Sequence, residues 1–433
     1  MSQLLTKLHT IQDNKILRNT AKYAFYLAVI IECLIVVIDK SHYINPIEGR
    51  LFQITFILCT LKVLLTKYEY REYIAIFLAC LLGLMVDYLG DRNEILRMFM
   101  FVASCKDIDI KKCLKLMLWI TTIGCAILAL LSITGIYGEL TVPKEYPGNI
   151  FVERYCFGMG NSNAFHIMFF ALTLLAMYVY NDTMKWWGYA IIFIANIGVT
   201  LLTACKTGAA MTAVAVVGMW LVSVSNKSEM NHNDNANAKN NGENNQKGII
   251  LKGIKTDKLL KIIGIIGIAL QPIMIATSVY WAWVTKYLFY DRKGMWDAVN
   301  SRYPGYNVDR LRVVDNFITG RINSLNADNA WSGSLKTWHL LPVKDNQAYF
   351  DLGYVRVFYW YGVLVATILL ILVFIASNYL LKKRKYSELM IVILISTFTL
   401  IESHFVSVYI GRNYSLVIFG AIWSKLINTS EKV

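Results

Sequence analysis

Charge is what this chain has least of. Asp, Glu, Lys and Arg make up 17% of its 433 residues while 56% are hydrophobic, against roughly 25% charged in an ordinary soluble domain. That scarcity excludes a free-standing soluble core and puts the chain in a bilayer. Alternating ten-residue segments of the kind that build an outer-membrane barrel are missing too. What recurs instead are apolar runs close to the about 20 residues that cross hydrocarbon as a helix. The expected fold is therefore all-α, a polytopic integral membrane helical bundle of about twelve transmembrane helices with a large extracytoplasmic loop containing amphipathic helices.

Other absences narrow the chemistry. The eight cysteines, Cys33 to Cys205, show no CxxC or Cys/His spacing, which excludes a sequence-evident zinc site and reads as small side chains packing between helices. No P-loop and no Rossmann glycine pattern occurs. Asp107-Ile108-Asp109 is the only D-x-D lookalike, and it sits among lysines as a solvated connector. Met1 to Lys22 is polar and no small-residue cleavage pattern follows the first apolar run, so no cleavable signal peptide is expected. The net charge of +14 lies mostly in short connectors beside the spans, where the positive-inside bias places Lys and Arg, so it is a topology signal and not a nucleic-acid footprint.

Hydropathy and the basic connectors give an order of twelve crossings with both termini cytoplasmic. Residues 1–225 hold spans 1 to 8, at about Tyr23–Ile38, Ile47–Leu65, Tyr73–Leu89, Glu94–Cys105, Leu116–Ile133, Ala164–Tyr180, Trp187–Leu202 and Ala209–Val224. The fourth is short and contains Arg97, yet the basic clusters on either side require a crossing there. Tyr137–Phe157 is an outer loop, and Lys206 marks a tight outer turn between spans 7 and 8. Residues 226–258 are Asn- and Lys-rich, too polar to order themselves, and read as a disordered cytoplasmic linker. Span 9 occupies 259–285, an extracytoplasmic loop 286–350, and spans 10 to 12, at about Val355–Leu380, Leu389–Ile401 and Tyr414–Ile427, fill 351–433.

That topology brings Arg154, Asn161, Asn163, His166, Lys206, Arg321, Asp345, Asn346, Glu402, His404, Arg412 and Asn413 to one side. Ionisable groups at a membrane edge are costly to keep and mark a site or pathway by default. The spans show no internal similarity between halves and no paired charges deep within them, which weighs against a transporter. In the large loop, which also holds Asp291, Arg292, Lys293, Trp296, Tyr303 and Trp331, the apolar residues Val308, Leu311, Val314 and Ile318 recur at helical spacing. Asn307–Thr319 thus reads as an amphipathic helix ended by Gly320, with Arg321 at the break. Arg321 is either a bidentate phosphate ligand or a solvated residue near a helix end.

Three stretches resemble the Wzy-type bacterial polysaccharide polymerases, relatives of the O-antigen ligases. RYCFGMGNSNAFH (Arg154–His166) looks like that family's Arg, Gly-rich turn and Asn before a span. LTACKTG (Leu202–Gly208) is similar to its T-x-S-R-T turn, except that Cys205-Lys206 stands where Ser-Arg is common, and Lys lacks the planar fork of Arg. The amphipathic helix, Gly320-Arg321, Asp345-Asn346, Gly353 and a span holding Tyr361-Gly362 follow in the family's order, with Glu402 and Asn413 late in the chain.

The resemblance implies a metal-independent, GT-C-like membrane glycosyltransferase without a cofactor, in the bacterial cytoplasmic membrane. Such an enzyme moves a growing glycan from its polyprenyl-diphosphate carrier to the terminal sugar hydroxyl of a new lipid-linked repeat unit, in exopolysaccharide, capsule or O-antigen synthesis. Membrane lipid, a chain-length regulator and a flippase of the same pathway are the other partners it implies. An O-antigen-ligase-like transferase or a polysaccharide flippase or transporter are the alternatives. The leaving diphosphate needs cations, and Arg321, Arg154, Lys206 and Arg412 are the candidates; Arg412 also reads as an outer-face anchor and Lys206 as a turn residue. The attacking hydroxyl needs a base, for which Asp345, His339, Glu402, His404 and His166 are candidates. His166 also suits a hydrogen bond to a neighbouring helix, and Asp345-Asn346 a helix cap. Substrate contacts fall to Asn163, His166, Asn346, Trp338 and Tyr349. Trp331 and Tyr303 could also stack on sugar, although interfacial aromatics commonly serve as anchors.

Overall fold

The computed structural model describes residues 12, 14–41, 43–146, 150–239, 247–285, 308–318, 320–325 and 333–429. Asp291, Arg292, Lys293, Trp296, Tyr303 and Trp331, all expected in the large loop, lie outside the described residues.

The chain is helical almost throughout. In order come α1 (Lys15–Lys40), α2 (Glu48–Leu64), α3 (Tyr70–Gly90), α4 (Glu94–Ser104), α5 (Ile110–Ile133), a hairpin of β1 (Thr141–Tyr146) and β2 (Ile150–Tyr155), then α6 (Ser162–Val179), α7 (Trp186–Thr203), α8 (Lys206–Lys239) and α9 (Lys247–Val284). The last part holds α10 (Val308–Phe317), the single turn α11 (Arg321–Ser324), α12 (Gly353–Lys382), α13 (Tyr386–Thr399) and α14 (Ser415–Thr429). Among the described residues eight helices, α1, α3, α5, α6, α7, α8, α9 and α12, are long and apolar enough to cross a membrane, whereas α13 and α14 are apolar but shorter. α4, where a short fourth span is expected, is a helix of 11 residues and is not among the eight. The backbone of α8 stays helical to Lys239 and that of α9 starts at Lys247, both inside the stretch expected as a disordered linker.

Local sequence explains the helix starts. Asn14, Asp109 and Asn161 each turn a side-chain oxygen back onto a first-turn N–H, at Ile16 (2.9 Å), Lys112 (3.0 Å) and Ala164 (2.6 Å), satisfying donors the helix cannot. The core lies between the helices, where Phe170 of α6 stacks on Phe398 of α13 at 4.9 Å. Leu27, Ile57, Leu81, Ile123, Ile194 and Ile371 point outward and are exposed. Apolar surface this extensive suits hydrocarbon rather than water.

Three features depart from expectation. Tyr137–Phe157 is no plain loop, because Thr141 to Tyr146 pairs antiparallel with Ile150 to Tyr155, Val142 facing Arg154 and Lys144 facing Val152. The tenth expected span is broken at Gly362, whose φ of 73° and ψ of 160° leave the helical region. The second half of α12 restarts there with orphan N–H groups, and the loop before it supplies the acceptors, Val363 N–H to the His339 carbonyl (2.9 Å) and Leu364 N–H to that of Leu340 (3.0 Å). Finally, a buried charge pair does join two helices expected as spans: Arg97 of α4 binds Glu32 of α1 at 3.1 Å. Glu32 also accepts from Thr55 (2.6 Å), and Arg97 donates to the Val408 carbonyl (3.1 Å).

Candidate functional site

At one end of the bundle the C-terminus of α1, the hairpin, the N-termini of α6 and α12 and the connector between α13 and α14 enclose a polar cavity of about 750 Å³. Its lining carries five cations, Lys40, Lys144, Arg154, Arg356 and Arg412, against three carboxylates, Asp39, Asp351 and Glu402.

The hairpin register aims two of the cations together. Arg154 pairs with Val142, and Lys144 lies two residues further along the same strand, so the side chains of Lys144 and Arg154 share a face as diagonal neighbours. Burial pushes the Lys144 pKa down, with the charges of Arg154 and Arg321 acting the same way. Arg154 is buried and donates through Nε to the Thr203 carbonyl and through Nη2 to Asn163 Oδ1 (3.0 Å). These contacts use two of its five N–H donors. Asn161, Ser162, Asn163 and Ala164 line the cavity as the start of α6, so the positive end of that helix's dipole opens onto it.

The connector after α13 supplies the carboxylate. Glu402 is buried, and its Oε1 accepts from Arg321 Nη2, while Arg321 Nε lies 3.9 Å from the Asp351 carboxylate. Burial pushes the Glu402 pKa up to about 7 even though Arg321 pulls it down. Arg321 itself donates to the Ile318 carbonyl (3.0 Å), just across the left-handed Gly320 that ends α10. The expected helix, its glycine stop and the Arg at the break therefore occur together, with the guanidinium held behind the cavity wall by Glu402. His404 follows, buried, its Nε2 without a partner among the described residues. Burial, with Lys40 beside it, pushes its pKa down, which leaves the ring neutral. Arg412 pairs with Asp39, donates to Ser407 Oγ (3.3 Å) and lies over the Tyr409 ring at 4.3 Å. At the mouth, the exposed Tyr349 ring meets Trp360 edge-on at 5.2 Å and has Arg356 over it at 5.2 Å.

Of the residues singled out from sequence, Arg154, Asn163, Tyr349, Glu402, His404 and Arg412 line this cavity and Arg321 backs it. Asn161 lines it too, whereas His166, Asn346, Trp338, His339, Asp345, Lys206 and Asn413 do not. His166 is buried between Thr203 Oγ1 (2.9 Å) and Asn196 Oδ1 (3.0 Å), tying α6 to α7. Asn346 Nδ2 donates to the carbonyls of Tyr359 (2.8 Å) and Thr337 (3.1 Å) and so locks the loop onto α12. Trp338 stacks on Phe358 at 4.8 Å. His339 and Asp345 are exposed on that loop, and Lys206 is exposed at the first position of α8. Asp39, Lys40, Lys144, Asp351 and Arg356 were missed. Asp39-Lys40 closes the first span, and Asp351 and Arg356 bracket the start of the tenth, so the rule that ionisable groups at a span end mark a site would have found them. No protein-family model, no curated protein and no solved structure matches the chain.

Proposed function

We propose that the chain is a membrane glycosyltransferase that polymerises polyprenyl-diphosphate-linked oligosaccharide repeat units at the outer face of the cytoplasmic membrane, as its resemblance to the Wzy-type polymerases implies. The observation that carries this reading is the cavity itself: five cations and a helix N-terminus surround a space that also holds a buried carboxylate with a pKa of about 7. In the proposed reaction the bond between the anomeric carbon and the carrier diphosphate breaks. Lys144, Arg154 and Arg412, with the first N–H groups of α6, hold the charge that develops on the departing diphosphate. Glu402, as the carboxylate, takes the proton of the acceptor hydroxyl while the hydroxyl's oxygen bonds to the anomeric carbon. Arg321 positions Glu402 and keeps it chargeable. Tyr349 offers an exposed ring on which a sugar face can stack.

Transfer onto a different acceptor, as in a ligase, uses the same chemistry. Transport is favoured by one observation, the buried Glu32–Arg97 pair, although both partners are occupied by Thr55 and the Val408 carbonyl. Deleting the gene in its host and sizing free polysaccharide and lipid-linked intermediates separates the three. A polymerase leaves single lipid-linked units at the outer face, a ligase leaves lipid-linked polymer, and a flippase leaves single units inside.

A further inference from the structure

The opposite end of the bundle carries a second, smaller polar cavity of about 180 Å³ that the transfer reading does not use. It lies where α1 begins, α2 ends and the α4–α5 junction passes. Four cations line it, Arg18, Lys22, Lys62 and Lys67, against one carboxylate, Asp107. Lys62 is only 3% exposed. Its Nζ donates to Thr66 Oγ1 (2.7 Å) and to the Lys106 carbonyl (3.1 Å), which leaves its third N–H without an acceptor among the described residues. Arg18 and Lys22 are exposed one turn apart on α1, on the rim above it.

A buried ammonium is costly to keep without a counter-charge, and the one carboxylate that lines the cavity among the described residues, Asp107, is exposed. A basic pocket between transmembrane helices suits the phosphate of a lipid headgroup. We infer that this cavity binds a phosphate-bearing anion, with Lys62 at its floor and Arg18 and Lys22 at its rim. An anionic phospholipid headgroup and free inorganic phosphate share that chemistry.

The test uses the full chain in nanodiscs of phosphatidylcholine alone or with phosphatidic acid, and separately in detergent with inorganic phosphate against chloride at matched ionic strength. Retained lipid is read by native mass spectrometry and the unfolding temperature alongside it. Arg18→Gln with Lys22→Gln should weaken binding about fivefold for each cation removed, the weight of one basic residue near an anionic surface. Lys62→Met should abolish it; because that buried change can also cost folding, the two exposed substitutions carry the decision. A control pair at the same end, Lys112→Gln with Lys383→Gln, lies outside the cavity and is exposed. It should change binding less than twofold. Response to phosphatidic acid alone assigns a headgroup, and response to phosphate assigns the free anion. Equal losses in the cavity and control pairs would reduce the effect to diffuse surface attraction and overturn the inference, as would binding of neither probe. The outcome is independent of the transfer cavity at the other end.

Discussion

At Glu402 burial and the Arg321 guanidinium act in opposite directions, and burial prevails, leaving a pKa of about 7. A carboxyl raised in this way is protonated below that pH, so a base built on it turns on as pH rises. Transfer should climb between about pH 6 and 8 and level off above, and a pH–rate profile checks this. Glu402→Gln should lower the rate about 10²- to 10⁴-fold and remove that limb; a wild-type profile flat across this range would discard Glu402 as the base. Arg154→Ala removes a donor aimed at the leaving group and should cost about 10²- to 10³-fold in kcat with the protein still inserted. Asp345→Asn should stay within about twofold of wild type, since that side chain sits on an exposed turn away from the cavity. His166→Ala should act through folding, because it strands Thr203 and Asn196, at about 1 to 3 kcal/mol.

Among the elements, α12 depends most on a single backbone position. A Cβ at Gly362 would fall 2.6 Å from the Leu341 carbonyl carbon, and its φ of 73° is itself unfavourable for other residues. Gly362→Ala should therefore destabilise by about 1 to 3 kcal/mol, read as a lower unfolding temperature, whereas Gly198→Ala, with open space around its Cβ position, should not. The Glu32–Arg97 pair joins α1 to α4 and, through the Val408 carbonyl, to the connector that carries Glu402. Removing one partner alone leaves a buried charge and should cost about 3 to 5 kcal/mol. The sequence made the helices legible because runs near 20 apolar residues have few other solutions, and it made α10, Gly320 and Arg321 legible because their spacing and stop are local. The hairpin escaped it, since strand pairing depends on a partner rather than on either segment. Asn346 and His166 stay open between two readings for a related reason: a polar side chain satisfying buried groups of its own fold looks, in sequence, like one awaiting a substrate. The structure gives His166 the helix-to-helix hydrogen bonds that are one of its two readings.

Among the described residues an apolar core coexists with leucine and isoleucine on the outer surface, while Arg92, Glu94, Arg97 and Glu32 are buried. Two polar cavities occupy opposite ends, one lined by Lys40 at the close of α1 and the other by Arg18 and Lys22 near its start. If the transfer cavity faces outward, cysteines introduced at Lys336 or Asp345 should react with an impermeant reagent in intact cells, and those at Lys112 or Lys383 only after permeabilisation. The most direct measurement is transfer itself, with purified chain in liposomes given a polyprenyl-diphosphate-linked oligosaccharide and the products resolved by mass. The cavity reading predicts a ladder of lengthened lipid-linked glycans with matching release of free polyprenyl diphosphate, lost in Arg154→Ala and Glu402→Gln. A wild-type reaction without a ladder, or a ladder undiminished in those variants, would contradict it.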